Sequence, residues 1–139
     1  KGRAAAKVQM ERFIAHQSVP MPVFQDVLAV FDDPKAASAK LRAAFTDPAN
    51  HDQTRQLKIA FWASFFGDTE LANKALHVFA IDLNGERLRV LWHPVFAPAR
   101  KTRGFKDLMR SLGLYEYWRT SGKWSDFCHP VGADDFECH

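Results

Sequence analysis

Apolar residues recur at helical spacing along almost the whole chain. Phe24, Val27, Leu28 and Phe31 lie at positions i, i+3, i+4 and i+7, which places all four side chains on one face of a helix. No stretch of comparable length alternates between apolar and polar residues, as a half-buried strand would. The pattern therefore predicts an all-α protein made of short amphipathic helices.

Turn-forming residues divide this pattern into separate helices. The segment Asp32-Asp33-Pro34 places an aspartate that can cap a helix before a proline at the first helical position. Gly67 is expected to end one helix, Asp68 to cap the next, and Asn84-Gly85 to close that one. The other expected caps are Asn50 or Asp52, and Thr102.

These signals determine the expected bounds of the helices. The predicted helices cover residues 3–16, 24–31, 34–46, 51–66, 69–83, 88–92, 103–112 and 114–120. The buried face of helix 51–66 is expected to consist of Leu57, Ala60, Phe61, Ser64 and Phe65. Residues 121–139, which include Gly122, Pro130 and Gly132, are expected to form an irregular tail.

Two segments share a turn-plus-helix plan at an offset of 35 residues. One helical hairpin cannot bury its apolar stripe alone, so such units stack. A period of about 34 residues is that of the tetratricopeptide repeat. The aligned pairs are Asp33 and Asp68, Ala37 and Ala72, Leu41 and Leu76, and Ala44 and Phe79.

The chain resembles this repeat family over about residues 21–84. The turn glycine Gly67, with Ala72 five residues later, matches the family, whereas Phe79 replaces a small residue and Asn84 a common proline. The resemblance implies one domain over 1–139. It has a leading helix over 1–20, two divergent hairpins over 21–86 stacked as a short solenoid, and a capping region over 87–139. The alternative is a plain bundle of antiparallel helical hairpins.

The C-terminal part also resembles a known closing segment. The motifs that carry the resemblance are Leu91-Trp92-His93-Pro94, Leu114-Tyr115-Glu116-Tyr117-Trp118-Arg119 and Gly122-Lys123-Trp124-Ser125-Asp126-Phe127-Cys128. Over about residues 88–138 the chain is similar to the ends of proteobacterial signalling proteins. In those proteins, repeats of this kind follow a class III nucleotidyl cyclase or a winged-helix regulator. The resemblance implies a terminal module of a longer bacterial signalling or transcription-regulatory protein, without either leading domain.

The same region is rich in large aromatic rings. A buried ring removes about 150–250 Å² from water, so many rings together predict a packed cluster. A solenoid also leaves its last apolar face open, and an atypical element has to cover it. We therefore expect a cap that buries Trp92, Phe96, Phe105, Tyr115, Tyr117, Trp118, Trp124 and Phe127.

The net charge of +3 is unevenly distributed. Residues 1–86 are neutral, residues 87–123 carry +7, and residues 124–139 carry −4. The basic segment attracts phosphate or an acidic protein surface, unless the acidic tail folds back over it. If the basic segment is accessible, the alternative function is that of a nucleic-acid-binding helical domain using segment 100–119. Its candidate contacts are Arg100, Lys101, Arg103, Lys106 and Arg110.

Cysteine and histidine are concentrated at the end of the chain. Cys128-His129 and Cys138-His139 lie ten residues apart, a spacing that matches no usual zinc motif. The two cysteines pair if the segment forms a hairpin in an oxidising compartment; we favour two free thiols of a cytoplasmic protein. No motif for a catalytic nucleophile or a phosphate-binding loop is present. We therefore expect no enzyme, no metal and no cofactor.

The leading hypothesis is a non-catalytic protein–protein interaction or regulatory module. Its expected partner is a protein or peptide, or another domain of the same polypeptide, rather than nucleic acid. No apolar run is long enough to cross a membrane, so we expect no membrane contact by this domain. The location is cytoplasmic, or periplasmic if the parent protein has a transmembrane segment. The candidate binding residues, all expected to be exposed, are Arg55, Gln56, Asn73, Lys74 and His77.

Overall fold

The computed structural model describes residues 2–81 and 87–139, and this part of the chain is mostly helical. Its helices are α1 (Gly2–Ala15), α2 (Val23–Ala29), α3 (Pro34–Thr46), α4 (Gln53–Phe65), α5 (Thr69–Ala80), α6 (Ala97–Arg100), α7 (Arg103–Ser111) and α8 (Leu114–Ser121). Short 3₁₀ helices cover Pro48–Asn50, Leu88–Trp92 and Pro94–Phe96. The strands are β1 (Cys128–Val131) and β2 (Asp135–Cys138). The helical class is confirmed, with a small two-stranded sheet added.

Three of the predicted helix starts are present where an aspartate caps the helix. Asp33, Asp52 and Asp68 each accept a hydrogen bond from the backbone N–H three residues later. Thr102 precedes α7 as expected, but its hydroxyl donates to the carbonyl oxygen of Ala99 instead of capping the helix. The predicted stop at Asn84-Gly85 lies outside the described residues, and α5 ends earlier, at Ala80.

Aligned positions of the two predicted hairpins are buried alike. The aligned leucines Leu41 and Leu76 are fully buried, and so are the aligned alanines Ala37 and Ala72. Helix α2 packs on α3, α3 on α4, and α4 on α5, so the two hairpins follow one another in series. Among the described residues, no helix is both long and apolar enough to span a membrane.

Helix α4 is rotated relative to the prediction. Leu57, Phe61 and Phe65 were expected to be buried and are only half-buried. The residues that α4 does bury are Gln56, Ile59, Ala60, Trp62, Ala63 and Ser64. The small side chains of Ala60, Ala63 and Ser64 allow close helix packing on this face, whereas Phe61 and Phe65 lie at its margins. There, Phe65 packs against Phe31 with ring centroids 5.6 Å apart.

The predicted irregular tail is wrong from residue 128 onward, whereas residues 122–127 form no helix or strand. Residues 128–138 form an antiparallel hairpin in which Cys128 lies directly opposite Cys138. The two cysteines form a disulfide, which corrects the preference for free thiols. Gly132, with a φ of 64°, provides the left-handed conformation in the turn. Strands of four residues are too short for their alternation to stand out in the sequence.

Most of the aromatic residues of the C-terminal region form one cluster between α7, α8 and the hairpin. Trp118 is only 4% exposed and packs beside Trp124, with ring centroids 5.5 Å apart. Trp92 stacks on Phe127 at 5.3 Å. Tyr117 is an exception to the prediction, because it is 52% exposed. Helices α6 and α7 pack on α5, so the C-terminal region covers the last helix of the second hairpin.

Candidate functional site

A groove of about 540 Å³ runs between α5 and α7. We call it the α5–α7 groove. Helix α5 carries the second hairpin and α7 the capping region, so the groove lies where these two parts of the fold meet. Its lining residues are Thr69, Glu70, Asn73, Lys74, His77, Thr102, Arg103, Gly104, Asp107, Leu108 and Ser111. The predicted candidates Asn73, Lys74, His77 and Arg103 are all among them.

Asn73 and Gly104 lie against each other where α5 meets α7. A Cβ atom placed on Gly104 would lie 3.0 Å from Nδ2 of Asn73, so a larger residue would require the Asn73 side chain to shift by a few tenths of an ångström. Nδ2 of Asn73 donates to Oγ1 of Thr102 at 2.7 Å, which ties α5 to the start of α7. Asn73 is therefore only 5% exposed, and the prediction that it lies on the open surface is wrong.

The rim of the α5–α7 groove carries charges of both signs. On α5, the Lys74 ammonium lies 3.1 Å from the Glu70 carboxylate, and both side chains are exposed. This hydrogen bond from Lys74 is the main reason that the pKa of Glu70 is lowered. On α7, Arg103 and Asp107 are exposed. His77 is half-buried at the end of the α5 side. The rim thus offers contacts to both acidic and basic groups of a ligand.

Arg55 and Gln56 lie away from this groove. Gln56 is fully buried, and its Nε2 donates to the carbonyl oxygen of Asn50 at 2.8 Å, so its predicted exposure is wrong. Arg55 pairs with Asp52 at 2.7 Å. Burial acts to raise the pKa of Asp52, but the hydrogen bonds from Arg55 outweigh it and the pKa is lowered. Both residues therefore stabilise the start of α4.

The basic segment 100–119 is not a continuous surface of free cations. Arg100 is only 3% exposed and donates to backbone carbonyls. Lys106 and Arg110 lie 3.3 and 3.8 Å from Asp135 in strand β2. The acidic tail therefore folds back over the basic helices, which is one of the two possibilities that the charge pattern left open. Lys101 and Arg103 are exposed.

The side chains considered for metal binding or catalysis make other bonds in the structure. Cys128 and Cys138 are joined to each other, so neither is a thiol nucleophile in this structure. Nδ1 of His93 accepts a hydrogen bond from the backbone N–H of Val95. Within residues 2–81 and 87–139, no three histidine, cysteine or acidic side chains lie close enough together to hold a metal ion.

Several groove residues were not singled out from the sequence. Glu70, Asp107 and Ser111 are among them, and nothing in the sequence brings α5 beside α7. The one available signal is Gly104, because a glycine inside a helix is unfavourable unless close packing or function requires it.

No family model, curated protein or solved structure matches this chain. What the α5–α7 groove binds therefore has to be inferred from its own side chains.

Proposed function

We propose that this chain is a non-catalytic protein–protein interaction module whose α5–α7 groove binds a short extended segment of a partner. The partner is a protein or peptide, or another domain of the same polypeptide. The observation that carries the proposal is the groove itself, which brings Asn73, Lys74, His77 and Arg103 together from two parts of the fold. Long open grooves with polar rims are well suited to extended peptide segments.

The dimensions of the groove limit the length of the bound segment. From Thr69 to His77 the α5 wall rises about 12 Å at 1.5 Å per residue. An extended strand advances about 3.3 Å per residue, so about four residues span this wall. A short linear motif within a longer chain therefore has the length to fill the groove.

The charges at the rim indicate the composition of that segment. Glu70 and Lys74 lie on one wall, and Arg103 and Asp107 on the other. A segment that carries both an acidic and a basic residue can pair with both walls, whereas a uniformly charged one meets like charge on each side. We therefore expect bound sequences to combine the two signs.

The arrangement of the hairpins supports a finer assignment within the same proposal. The serial packing of α2 to α5, together with the 35-residue offset, is what a short tetratricopeptide-like solenoid requires. The resemblance over residues 88–138 adds a bacterial signalling or transcription-regulatory parent protein. In such a protein the segment bound by the groove would belong to the upstream cyclase or winged-helix domain, or to a separate partner.

Selection from a displayed library of short linear peptides tests the proposal. Selected peptides should bind the unmodified protein and lose most of their affinity for the double variant Lys74→Ala/His77→Ala. Lys123→Ala, which removes an exposed lysine far from the groove in sequence, is the matched control and should bind as the unmodified protein does. Peptides that bind the double variant equally well would contradict the proposal.

Nucleic acid is the alternative partner, and the engagement of Arg100, Lys106 and Arg110 argues against it. A salt titration against random-sequence duplex DNA separates the two partners. Binding through several phosphates would weaken steeply as salt increases, because counterions are released on binding. We expect no specific duplex binding at moderate salt.

A further inference from the structure

A second groove lies on α3, beside the turn that precedes α5. It has a volume of about 340 Å³, and we call it the α3–α5 groove. One wall consists of Pro34, Lys35, Ser38 and Arg42 of α3, and residues 66–68 form the other. This groove lies one predicted repeat before the α5–α7 groove.

The two grooves are built from positions that the 35-residue offset makes equivalent. This offset aligns the four α3 residues of the α3–α5 groove with four α5 residues that all line the α5–α7 groove, namely Thr69, Glu70, Asn73 and His77. In both grooves the opposite wall includes the residue that precedes the next helix, Asp68 before α5 and Thr102 before α7. The offset therefore relates the two grooves as well as the buried faces of the predicted hairpins.

The same kind of hydrogen bond closes the floor of each groove. Oγ of Ser38 on α3 donates to the carboxylate of Asp68, the residue before α5. Nδ2 of Asn73 on α5 donates to Oγ1 of Thr102, the residue before α7, at 2.7 Å. The two donors are 35 residues apart in the chain, and the two acceptors are 34 apart. Each helix is thus tied in the same way to the start of the next one, so the two grooves share one construction.

Arg42 joins the two grooves. It lines the α3–α5 groove, and its Nη1 lies 3.7 Å from Oε1 of Glu70, which lines the α5–α7 groove. Asp68 and Thr69, which are neighbours in the chain, also line one groove each. The two grooves therefore adjoin near the start of α5, and a single extended segment can pass from one to the other.

Lys35 adds a positive charge to the α3–α5 groove. The other charges near the junction balance, because Arg42 pairs with Asp68 at 2.7 Å and Lys74 with Glu70 at 3.1 Å. Lys35 is exposed, and within residues 2–81 and 87–139 it makes no ion pair. The α3–α5 groove therefore favours an acidic side chain of a ligand.

We infer that the segment bound by the α5–α7 groove continues into the α3–α5 groove and places an acidic side chain beside Lys35. This inference rests on the proposed function, since it extends the same bound segment. From Lys35 to Arg42 the α3 wall rises about 10 Å, which about three extended residues span. Together with the four or so residues along α5, the recognised motif is about seven residues long and carries its acid at the end that lies on α3.

Selection from two displayed libraries tests the inference, one of random segments about five residues long and one of segments about twelve residues long. Selected sequences are synthesised with a fluorescent label, and their affinities are measured by fluorescence anisotropy. The longer peptides should share an acidic residue near one end and bind at least about fivefold more tightly than the shorter ones. Lys35→Ala should weaken only the longer peptides, by about fivefold, which is the factor for two unit charges about 4 Å apart in water.

Charge reversal separates a direct contact from a loss of structure. Lys35→Glu should weaken the longer peptides further, and exchange of their shared acidic residue for lysine should restore binding to this variant. Lys35 is exposed in the first turn of α3, where a cation opposes the helix dipole, so its replacement does not weaken the fold. Lys40→Ala is the matched control and should leave all affinities unchanged, because Lys40 is an exposed lysine of the same helix that lines neither groove.

The double variant Lys74→Ala/His77→Ala separates this inference from the proposed function. Longer peptides that lose affinity for the double variant but not for Lys35→Ala would overturn the inference and leave the proposed function intact. Peptides that bind the double variant as tightly as the unmodified protein would overturn both. In analytical ultracentrifugation without peptide, a dimer that Lys35→Glu dissociates would also overturn the inference, because a second copy would then occupy the α3–α5 groove.

Discussion

Arg42 in α3 and Asp68 at the start of α5 form a two-point ion pair between the two hairpins. Nε of Arg42 donates to Oδ2 of Asp68 at 2.8 Å, and Nη2 donates to Oδ1 at 2.7 Å. Ser38 donates to the same carboxylate, which also caps α5 by accepting the N–H of Leu71. Asp68 thus combines a local role in its own helix with a contact between hairpins.

The two aligned caps should therefore differ in their contribution to stability. Asp33→Ala removes a helix cap alone, which costs about 1 kcal/mol. Asp68→Ala removes a cap and also the partner of Arg42, so we expect about 2–3 kcal/mol. Urea unfolding of both variants measures the difference. Equal losses would mean that the Arg42 pair contributes nothing and that Asp68 is only a cap.

The same carboxylate predicts how stability depends on pH. Burial acts to raise the pKa of Asp68, but the hydrogen bonds from Arg42, Ser38 and Leu71 outweigh it, so the pKa is lowered in the folded state. Ionised Asp68 therefore stabilises the fold fully above the unfolded-state pKa of about 3.9, and this contribution is lost as the pH falls through the folded-state pKa.

Comparison with Asp68→Asn isolates that contribution. The free energies of unfolding of the two proteins should differ most at neutral pH and converge as the pH falls well below 4. Asp126→Asn, which alters an exposed carboxylate, should follow the unmodified protein throughout. A difference between the unmodified protein and Asp68→Asn that is constant from neutral to strongly acidic pH would contradict the prediction.

Truncation of two neighbouring aromatic residues of α8 should have very different effects on the free energy of unfolding. Trp118 is buried among Trp92, Trp124 and Phe136, so Trp118→Ala should cost about 3–5 kcal/mol through the cavity that it leaves. Tyr117 is more than half exposed, and Tyr117→Ala should cost no more than about 0.5 kcal/mol. Denaturant unfolding measures both values. A loss below about 0.5 kcal/mol for Trp118→Ala would place that ring outside the core.

The disulfide should stabilise the hairpin measurably. Its cysteines are ten residues apart, and closing a loop of this size in the unfolded chain corresponds to about 2–3 kcal/mol. The double variant Cys128→Ser/Cys138→Ser should therefore unfold at a lower urea concentration. Thiol titration of the denatured protein, purified without reductant, should find no free thiol. Two free thiols per chain would contradict the disulfide.

Local signals made much of the helical part predictable. Asp33-Pro34 and Gly67-Asp68 determine helix ends through their immediate neighbours, so the sequence is sufficient to locate them. The rotation of α4 depends instead on which neighbours pack against it. Phe61 and Ile59 are both apolar, and only the close packing of α5 decides that Ile59 is buried and Phe61 is at the margin.

Burial of polar residues was the least predictable feature of the fold. Asn73 and Arg100 look like surface residues in the sequence, but each is buried and bonded to an oxygen from a segment about 30 or 40 residues away. Such contacts arise only after the helices are packed. The α5–α7 groove has the same origin, since its two walls are about 30 residues apart in the chain.

Mapping the amide chemical shifts that a selected peptide causes is the most direct test of the central claim. The account predicts that saturable shifts cluster on residues 69–77 of α5 and 102–111 of α7, with little change in α1, α2 or the hairpin. Shifts confined to α1 and α4, around Phe13 and Phe61, would contradict it. They would place the binding surface where these two helices meet.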